Sequence, residues 1–428
     1  MKRLMLLLLI CSGAPLAYAQ NLTKAEKAIL KEAEKLDAAS IDFLERVVNV
    51  NSGTLNFEGV RENGRLFANA FSEIGFDTTW YDLSEVNRAG HLFAERKGRK
   101  GKRLLLIGHL DTVFDRDSPF QKFERKGDMA HAPGGNDMKG GNVVLLYALK
   151  ALYNAGYLKN TQIIVALHGD EESAGKPLTI SRRDIINAAK RSDVALGFET
   201  ATGFDYATVA RRGSSGWTLK VTGKQAHSSG IFSENTGAGA VFEAARILHT
   251  FYDQLREEEL LTFNPGLIGG GTRVAYDGAT STMDIYGKTN IVASGVTVKG
   301  GLRFISEEQK EKARENMRQI VNNGNLPQTS ATISFQDSYP AMSPTEGNMQ
   351  LLKQLSQLSE DMGFGEVKAY DPGRRGAADI SFVAAYVDGL DGLGTMGTGA
   401  HSPSETVDLS TMNDLIKRTA LFLYRLTR

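Results

Sequence analysis

The sequence contains a single cysteine, Cys11, among its 428 residues. This cysteine lies in an N-terminal segment where Lys2 and Arg3 precede an apolar stretch over residues 4–10 and small residues follow at Ala17-Tyr-Ala19. The pattern predicts a signal peptide over residues 1–19 that is cleaved after Ala19. The mature chain then has no cysteine, so it forms no disulfide in an oxidising compartment, and any metal site in it must use nitrogen and oxygen ligands.

Long apolar runs are also missing. The N-terminal stretch is too short to span a bilayer, and no other stretch of the sequence reaches the length of a membrane helix. A retained anchor helix and a lipoprotein signal are the alternatives, but Ile10 occupies the position where a lipoprotein signal has a small residue. We therefore expect an exported protein, periplasmic or secreted, with no membrane attachment after cleavage.

The chain has no excess of charge of either sign, because 50 basic residues balance 50 acidic ones. This balance argues against nucleic acid or an anionic membrane as a partner. The hydrophobic content of 41% is ordinary for a globular protein, and the length allows two or three domains.

Apolar periodicity predicts strands that alternate with helices in residues 20–210, where helices are expected over residues 28–48 and 180–190, and again in residues 339–428. The fold class is therefore α/β, with a mixed sheet covered by helices on both faces. Residues 211–338 instead follow a β-α-β-β-α-β order, which predicts an inserted ferredoxin-like α+β domain. The strands of that domain are expected near residues 216–221, 272–276, 290–293, 297–304 and 331–335.

His109 and Asp111 follow the apolar strand Arg103–Gly108. Residues two apart on an extended chain point the same way, so both side chains would face one site. Asp111 could then accept the second ring N–H of His109, as the partners of metal-bound histidines do. A core histidine beside a strand-end aspartate is the alternative interpretation.

Asp137 lies in the glycine-rich loop Gly134–Gly141, which leads into a helix. A carboxylate at the centre of such a loop would repel phosphate, but its two oxygens suit two cations. A phosphate-binding loop and a plain connection before the helix are the alternatives.

Asp170-Glu171-Glu172 follow the next apolar strand, and Glu199 ends another. Adjacent carboxylates repel one another unless a cation is present, and one glutamate can bind metal while its neighbour acts as general base. Alternatives are a solvated loop for the triplet and a helix N-cap for Glu199. His401 follows the glycine-rich stretch Gly394–Gly399 and could place an imidazole at the same site. The histidines at positions 91, 131, 168 and 249 are interpreted as structural or surface residues.

Taken together, these motifs resemble the zinc aminoacylase/carboxypeptidase metallopeptidase family, in particular its glutamate carboxypeptidase (carboxypeptidase G) branch. The resemblance covers residues 25–428. It implies two Zn²⁺ ions per subunit bridged by one aspartate, a general base, a residue that orients a histidine ligand, and a cis peptide after the bridging aspartate. Mn²⁺ or Co²⁺ could replace zinc, since carboxylate and imidazole ligands accept several metals. In this sequence the ligands would be His109, Asp137, Glu172, Glu199 and His401, with Glu171 as general base and Asp111 as the orienting residue.

The resemblance also implies a homodimer formed through the inserted domain, which acts as a dimerisation or lid domain. His227, in Gly-Lys-Gln-Ala-His-Ser, matches a histidine that stabilises the oxyanion, commonly from the partner subunit. Asn290 and Arg303 resemble positions that bind the substrate carboxylate. Some glutamate-cleaving relatives have an arginine before a proline on the return to the catalytic domain, where this chain has Tyr339. Arg374 and Arg375 lie in the expected substrate loop and could compensate.

These features predict an enzyme that hydrolyses a peptide or N-acyl amide bond next to a free C-terminal carboxylate. An aminopeptidase or di/tripeptidase of the same fold remains an alternative, as does a non-catalytic exported binding protein. A two-metal phosphatase would leave the His227 domain without an evident use. A nucleotide site at Leu267–Thr272 lacks the βα unit that such a site requires.

Overall fold

The computed structural model describes residues 22–428. The predicted signal peptide, residues 1–19, lies outside the described residues. Within residues 22–428, no helix is both long and apolar enough to cross a membrane.

Ten α-helices occur in the described part of the chain: α1 Lys24–Glu34, α2 Asp37–Val48, α3 Phe57–Glu73, α4 Gly140–Asn154, α5 Leu178–Ser181, α6 Arg183–Ala189, α7 Gly239–Leu255, α8 Glu307–Asn322, α9 Glu346–Asp361 and α10 Met412–Leu426. The same residues contain eighteen strands: β1 Asp77–Leu83, β2 Arg88–Arg96, β3 Lys100–His109, β4 Glu124–Lys126, β5 Met129–His131, β6 Thr161–His168, β7 Val194–Gly197, β8 Tyr206–Ala207, β9 Gly213–Gly223, β10 Thr262–Gly271, β11 Arg273–Asp277, β12 Thr282–Tyr286, β13 Gly295–Phe304, β14 Thr329–Asp337, β15 Lys368–Ala369, β16 Asp388–Leu390, β17 Gly397–Thr398 and β18 Thr406–Asp408.

The larger sheet has six strands in the order β1-β2-β6-β3-β7-β16. Strands β6, β3, β7 and β16 are parallel to one another, whereas β2 pairs antiparallel with both β1 and β6, so the sheet is mixed. Leu104 and Leu106 of β3 pack into the apolar core under α4 and α10, and Leu105 and Ile107 pack into a second core with Ile185 of α6. Alternate side chains of a strand point to opposite faces, so β3 is apolar throughout because both faces are covered. The expected α/β class is confirmed.

The smaller sheet is antiparallel and has the order β10-β13-β9-β14. Helices α7 and α8 pack on it around Trp217, Phe251 and Phe304. In chain order the elements are β9-α7-β10-β13-α8-β14, with the β11–β12 hairpin between β10 and β13. The predicted β-α-β-β-α-β module is therefore observed.

One strand prediction in this module was wrong, and the strands β10 and β12 were missed. The strand expected at residues 290–293 is only a single bridge between Ile291 and His227. The strand β10 was missed because its Gly269-Gly270-Gly271 run has the composition of a loop. A Cβ atom at Gly269 would lie 2.3 Å from the Met283 sulfur, so the missing side chain leaves room for the β11–β12 hairpin.

Two predicted helices are also interrupted. Residues 28–48, expected as one helix, belong to α1 and α2, which are separated at Lys35 and Leu36. The helix expected over residues 180–190 is divided between α5 and α6 at Arg182, whose guanidinium is fully buried. Its side-chain bonds, described below, explain why this residue lies inside the protein.

Candidate metal centre

The predicted ligands come from separate segments that meet at the carboxyl edge of the large sheet. His109 ends β3, Glu172 follows β6 and Glu199 follows β7. Asp137 lies in the turn before α4, and His401 lies between β17 and β18. Parallel strands end at one edge of a sheet, which is where open α/β sheets place their functional residues.

One group of ligand atoms forms around His109. Its Nε2 atom lies 3.2 Å from Oδ1 of Asp137 and 3.8 Å from Oε1 of Glu199. His109 is buried, and the two carboxylates are mostly covered. These three side chains form the first triad.

A second group forms around His401. Its Nε2 atom lies 3.1 Å from Oδ2 of Asp137 and 3.2 Å from Oε2 of Glu172. His401, Asp137 and Glu172 form the second triad. The two oxygens of Asp137 thus face different triads, which is the arrangement required of a carboxylate that bridges two cations.

The loop of Asp137 is shaped by the buried carboxylate of Glu405. That carboxylate accepts hydrogen bonds from the backbone N–H groups of Gly134 at 3.1 Å, Asn136 at 2.8 Å and Asp137 at 2.9 Å. The peptide bond between Asp137 and Met138 is cis, as expected from the resemblance. Glu405 was missed in the sequence, although its position four residues after His401 is a signal that could have suggested it.

Asp111 faces His109, as expected, and has further contacts that the sequence did not suggest. The Nδ1 atom of His109 is 3.0 Å from the backbone oxygen of Asp111 and 3.5 Å from its carboxylate. The carboxylate instead accepts the Thr54 hydroxyl at 2.6 Å and the backbone N–H groups of Glu171 and Glu172 at 3.0 and 3.1 Å. Asp111 therefore contacts His109 through its backbone oxygen and its carboxylate, and the carboxylate also holds the segment that carries Glu171 and Glu172.

Glu171 is half-buried beside these ligands. Burial, and then the neighbouring Glu199 carboxylate, raise the pKa of Glu171 well above its ordinary value. Glu171 lies next to both triads but contributes no atom to the close contacts that define them. A carboxylate in this position is available for proton transfer.

The charges at the site explain why a cation fits it. Burial followed by the Asp137 carboxylate raises the pKa of Glu199 to about 8, and burial also raises the pKa of Glu172. Hydrogen bonds to Asp137 and Glu172 raise the pKa of His401 to about 11. The raised pKa values of Glu199 and Glu172 show that their ionised forms are unfavourable here without a positive charge nearby. Among the described residues, the buried Oε1 of Glu172 also has no hydrogen-bond partner. The imidazole and carboxylate donors therefore fit two divalent ions, with no thiolate among them.

A second cluster, His91, His168 and Asp170, lies buried behind the site but does not fit a metal. His91 accepts the N–H of Gly169 through Nδ1 at 3.1 Å, and its Nε2 is 2.9 Å from the backbone oxygen of Ser181. Both carboxylate oxygens of Asp170 are already hydrogen-bonded. The groups of His91 and Asp170 are occupied, and Nδ1 of His168 lies 2.5 Å from Asp379. Only Nε2 of His168 lacks a partner among the described residues, and one free donor does not hold a metal, so the interpretation of His91 and His168 as structural is favoured.

The residues expected to contribute from the inserted domain have no hydrogen bond to the residues of the two triads in the described part of the chain. His227 is exposed, and its Nδ1 is 2.8 Å from the Ser229 hydroxyl. The next residue, Ser228, donates its N–H to the backbone oxygen of Asn290 at 2.9 Å, so His227 and Asn290 lie on neighbouring loops. Arg303, near the end of β13, is exposed.

Arg374 and Arg375 lie in the loop of residues 371–377. The Nη2 atom of Arg375 donates to the backbone oxygen of Thr200 at 2.7 Å, next to Glu199. Arg374 and Arg375 both contact the Tyr370 ring. Arg375 is therefore brought to the edge of the metal centre, whereas Arg374 is exposed.

Sequence patterns also missed a buried pair, Arg211 and Asp391. The Nε atom of Arg211 donates to Asp391 at 2.7 Å, and the Asp391 carboxylate accepts the backbone N–H of Glu199 at 3.3 Å. This pair positions the strand end that carries Glu199. Nothing in the spacing of single charged residues indicates such a partner across 180 residues.

Comparisons with known proteins agree with this geometry. The profile of peptidase family M20/M25/M40 matches residues 105–425. The chain is 27% identical to carboxypeptidase G2 from Pseudomonas sp. over 91% of this chain and 89% of the relative. It is 23% identical to a succinyl-diaminopimelate desuccinylase from Nitrosospira multiformis, over 86% of this chain and 92% of that protein.

Solved structures show the same fold. Aminopeptidase PepT from Bacillus cereus aligns with a TM-score of 0.71 and 17% identity, covering 91% of this chain and 98% of the other. A dinuclear metal-binding peptidase from Bacillus subtilis aligns with a TM-score of 0.65 and 13% identity, covering 92% and 99%. The profile match and the two triads lead to one conclusion: the chain is a metal-dependent hydrolase that belongs to peptidase family M20/M25/M40.

Proposed function

We propose that this protein is an exported, zinc-dependent carboxypeptidase-type hydrolase. Its substrate is a peptide or N-acyl amino acid, cleaved at the amide bond next to a free C-terminal carboxylate. The observation that carries the proposal is the position of Glu171, a carboxylate beside two ligand triads that share Asp137. Similarity to carboxypeptidase G2 along nearly the whole chain supports the carboxypeptidase assignment.

In this reaction the bound metal ions would polarise the scissile carbonyl and lower the pKa of a water molecule. Glu171 accepts the proton of the attacking water and returns it to the leaving amine, so one carboxylate serves as base and then as acid. Asp111 holds the backbone of Glu171 and Glu172 through two N–H groups, so the base and its neighbouring ligand keep a fixed spacing. His227 is the proposed donor to the oxyanion.

Recognition of a carboxylate is supported by arginines around the loop of residues 371–377. Arg212 donates to the backbone oxygen of Gly373 at 3.0 Å. Arg303 is exposed as a residue, but partial burial of its guanidinium, and then the proximity of Arg212, lower its pKa. Burial and the proximity of Arg211 similarly lower the pKa of Arg375. Guanidinium groups that repel one another are stabilised by an anion, and their planar N–H groups suit a carboxylate. Asn290 is proposed to contribute from the inserted domain.

A homodimer is part of the proposal. The contacts of His227 are to residues of its own inserted domain, including Ser229 and Ile291. That domain, proposed to span residues 211–338, exposes large apolar side chains on α7 and β10 and on the segment before α7. They are Phe232, Val241, Phe242 and Ile268. A second copy of the chain would cover these side chains and could bring its His227 to the site. The catalytic domain would then comprise residues 20–210 and 339–428.

The experiment that tests the function uses mature protein, residues 20–428, loaded with zinc. N-acyl amino acids and unblocked dipeptides with different C-terminal side chains are incubated with it, and released amino acid is measured. We expect cleavage of blocked substrates that carry a free C-terminal carboxylate, and none when that carboxylate is amidated. Glu171→Ala should abolish turnover and retain both metals.

Cleavage of unblocked substrates alone would move the protein to the aminopeptidase or dipeptidase class. Loss of metal in Glu171→Ala would show that Glu171 is a ligand and not the base. If His227 acts across the dimer, mixing Glu171→Ala with His227→Ala protein should restore activity, whereas no recovery after verified subunit exchange would place its action within one chain. Replacing zinc with Mn²⁺ or Co²⁺ in the same assay would identify the metal preference, and detection of mature protein outside the cytoplasm would test export.

A further inference from the structure

We propose that Tyr339 is a positioning residue for the general base, Glu171. Buried Arg182 donates to the Tyr339 oxygen and so directs the Tyr339 hydroxyl hydrogen to the backbone oxygen of Glu171. This inference rests on the proposed function, because it assigns Glu171 to proton transfer. Tyr339 touches the backbone of Glu171 and is not expected to contact substrate.

Glu171 lies in a segment without regular secondary structure, directly after the end of β6. Ladder hydrogen bonds therefore do not hold it, and side chains from elsewhere take their place. The Tyr339 hydroxyl donates to the backbone oxygen of Glu171 at 2.8 Å. The backbone N–H of Glu171 donates to Asp111 at 3.0 Å. Both backbone polar groups of the base are thus anchored by side chains from separate parts of the chain.

Arg182 determines the role of the tyrosine hydroxyl. Its Nη2 atom donates to the Tyr339 oxygen at 3.2 Å, while Nη1 and Nε donate to Asp170 at 2.6 Å and Asp379 at 2.8 Å. An arginine only donates, so the tyrosine oxygen must accept from it. The single hydroxyl hydrogen of Tyr339 is then left for the carbonyl of Glu171.

The surroundings keep this hydroxyl protonated and its ring in place. Burial raises the pKa of Tyr339 well above its ordinary value. The ring packs against Phe382 with centroids 4.9 Å apart, and the Arg182 guanidinium lies over both rings. Removing only the oxygen should therefore leave the ring packing unchanged.

Tyr339 lies at the junction between the inserted domain and the rest of the chain. Tyr339 follows β14, where the chain leaves the inserted domain, and its backbone oxygen accepts the N–H of Ser214 at 2.8 Å, near the point where the chain enters that domain. The junction between the two sheets is thereby joined to the general base.

The test compares Tyr339→Phe with Tyr147→Phe. Tyr147 is a matched control, because its hydroxyl also donates to a backbone oxygen, that of Ala39 at 2.7 Å, but on the helical side of the fold. With the N-acyl amino acid that the wild-type enzyme cleaves best, we expect Tyr339→Phe to lower kcat about tenfold. KM should change less than about twofold and two metals should remain bound. Tyr147→Phe should leave kcat unchanged.

Amide hydrogen exchange gives a second readout that does not depend on turnover. In Tyr339→Phe the peptides covering residues 169–173 should exchange faster than in the wild type, while Tyr147→Phe should not alter them. Unchanged exchange in these peptides, or a kcat equal to that of the wild type, would overturn the inference. An inactive wild-type enzyme, or a fully active Glu171→Ala variant, would instead refute the proposed function, and the exchange result would still decide whether Tyr339 holds this segment.

Discussion

Glu405→Gln is the substitution that separates loop positioning from metal ligation most clearly. The Glu405 carboxylate binds three backbone N–H groups of the loop that carries Asp137, two through Oε1 and one through Oε2. A glutamine keeps one carbonyl oxygen, which can retain the two bonds at Oε1. Its amide nitrogen then faces the N–H of Gly134, so a donor meets a donor.

The size of the effect follows from these three bonds. Burial raises the pKa of Glu405 to about 7, so the comparison applies above that pH. There two charge-assisted bonds become neutral, at about 1 kcal/mol each, and one buried donor is left unpaired, at about 1–3 kcal/mol. The gross loss is therefore about 3–5 kcal/mol before the loop relaxes. Part of this free-energy loss destabilises the loop in the metal-free protein. The remainder should weaken metal binding by about 10–100-fold, the range typical of residues that orient ligands.

The assay is a zinc titration against a competing chelator, with thermal unfolding measured alongside. Glu243→Gln is the matched control, since Glu243 is also fully buried and accepts the backbone N–H of Leu326 at 2.9 Å in the inserted domain. Glu243→Gln should lower the Tm without changing zinc affinity. A zinc affinity of Glu405→Gln within about threefold of the wild type would refute the reasoning.

Three further predictions follow from the same contacts. Asp111→Asn should lower kcat about a hundredfold and leave zinc affinity within about threefold, because its carboxylate holds the backbone of Glu171 whereas His109 bonds to its backbone oxygen; kinetics and the chelator titration check this. Removing the metals with a chelator should abolish activity and lower the Tm, and adding zinc should restore both, as a thermal melt with and without metal would show. Glu26 is buried, which alone would raise its pKa, but hydrogen bonds from Thr23 and Arg425 lower it. Its stabilisation is therefore present above its unfolded pKa and lost as the pH falls through the lowered pKa of the folded state, so Glu26→Gln should destabilise the protein by about 1 kcal/mol at pH 7 and by progressively less at acidic pH in urea unfolding.

Much of the site could be predicted because its ligands follow apolar strands. A strand such as β3 is buried on both faces, so its apolar run is visible in the sequence and its end marks the edge of the sheet. His109, Glu172 and Glu199 each follow such a run, and the structure brings them together with Asp137 and His401. The order of these motifs in the sequence was therefore enough to predict most of the candidate metal ligands.

The supporting residues could not be predicted in the same way. Arg182 was expected inside a regular helix, but the helix breaks there so that its guanidinium can reach Asp170 and Asp379. Tyr339 and Arg211 bind partners more than 150 residues away in the chain. Buried polar pairs of this kind have no periodicity, since only tertiary packing determines which groups must be satisfied.

Composition was misleading at two points. The glycine run of β10 favours a loop, yet its glycines make room for the adjoining hairpin. Residues 290–293 contain β-branched and apolar side chains typical of a strand, yet only Ile291 forms a bridge. In both cases the contacts of neighbouring elements outweighed the local preference.

The most direct test of the account is anomalous diffraction at the zinc edge from crystals of the zinc-loaded mature protein. The account predicts two peaks on either side of the Asp137 carboxylate, one next to His109 and Glu199 and the other next to Glu172 and His401. A single peak, or a peak at the buried cluster of His91 and His168, would contradict the assignment of a bridged two-metal centre.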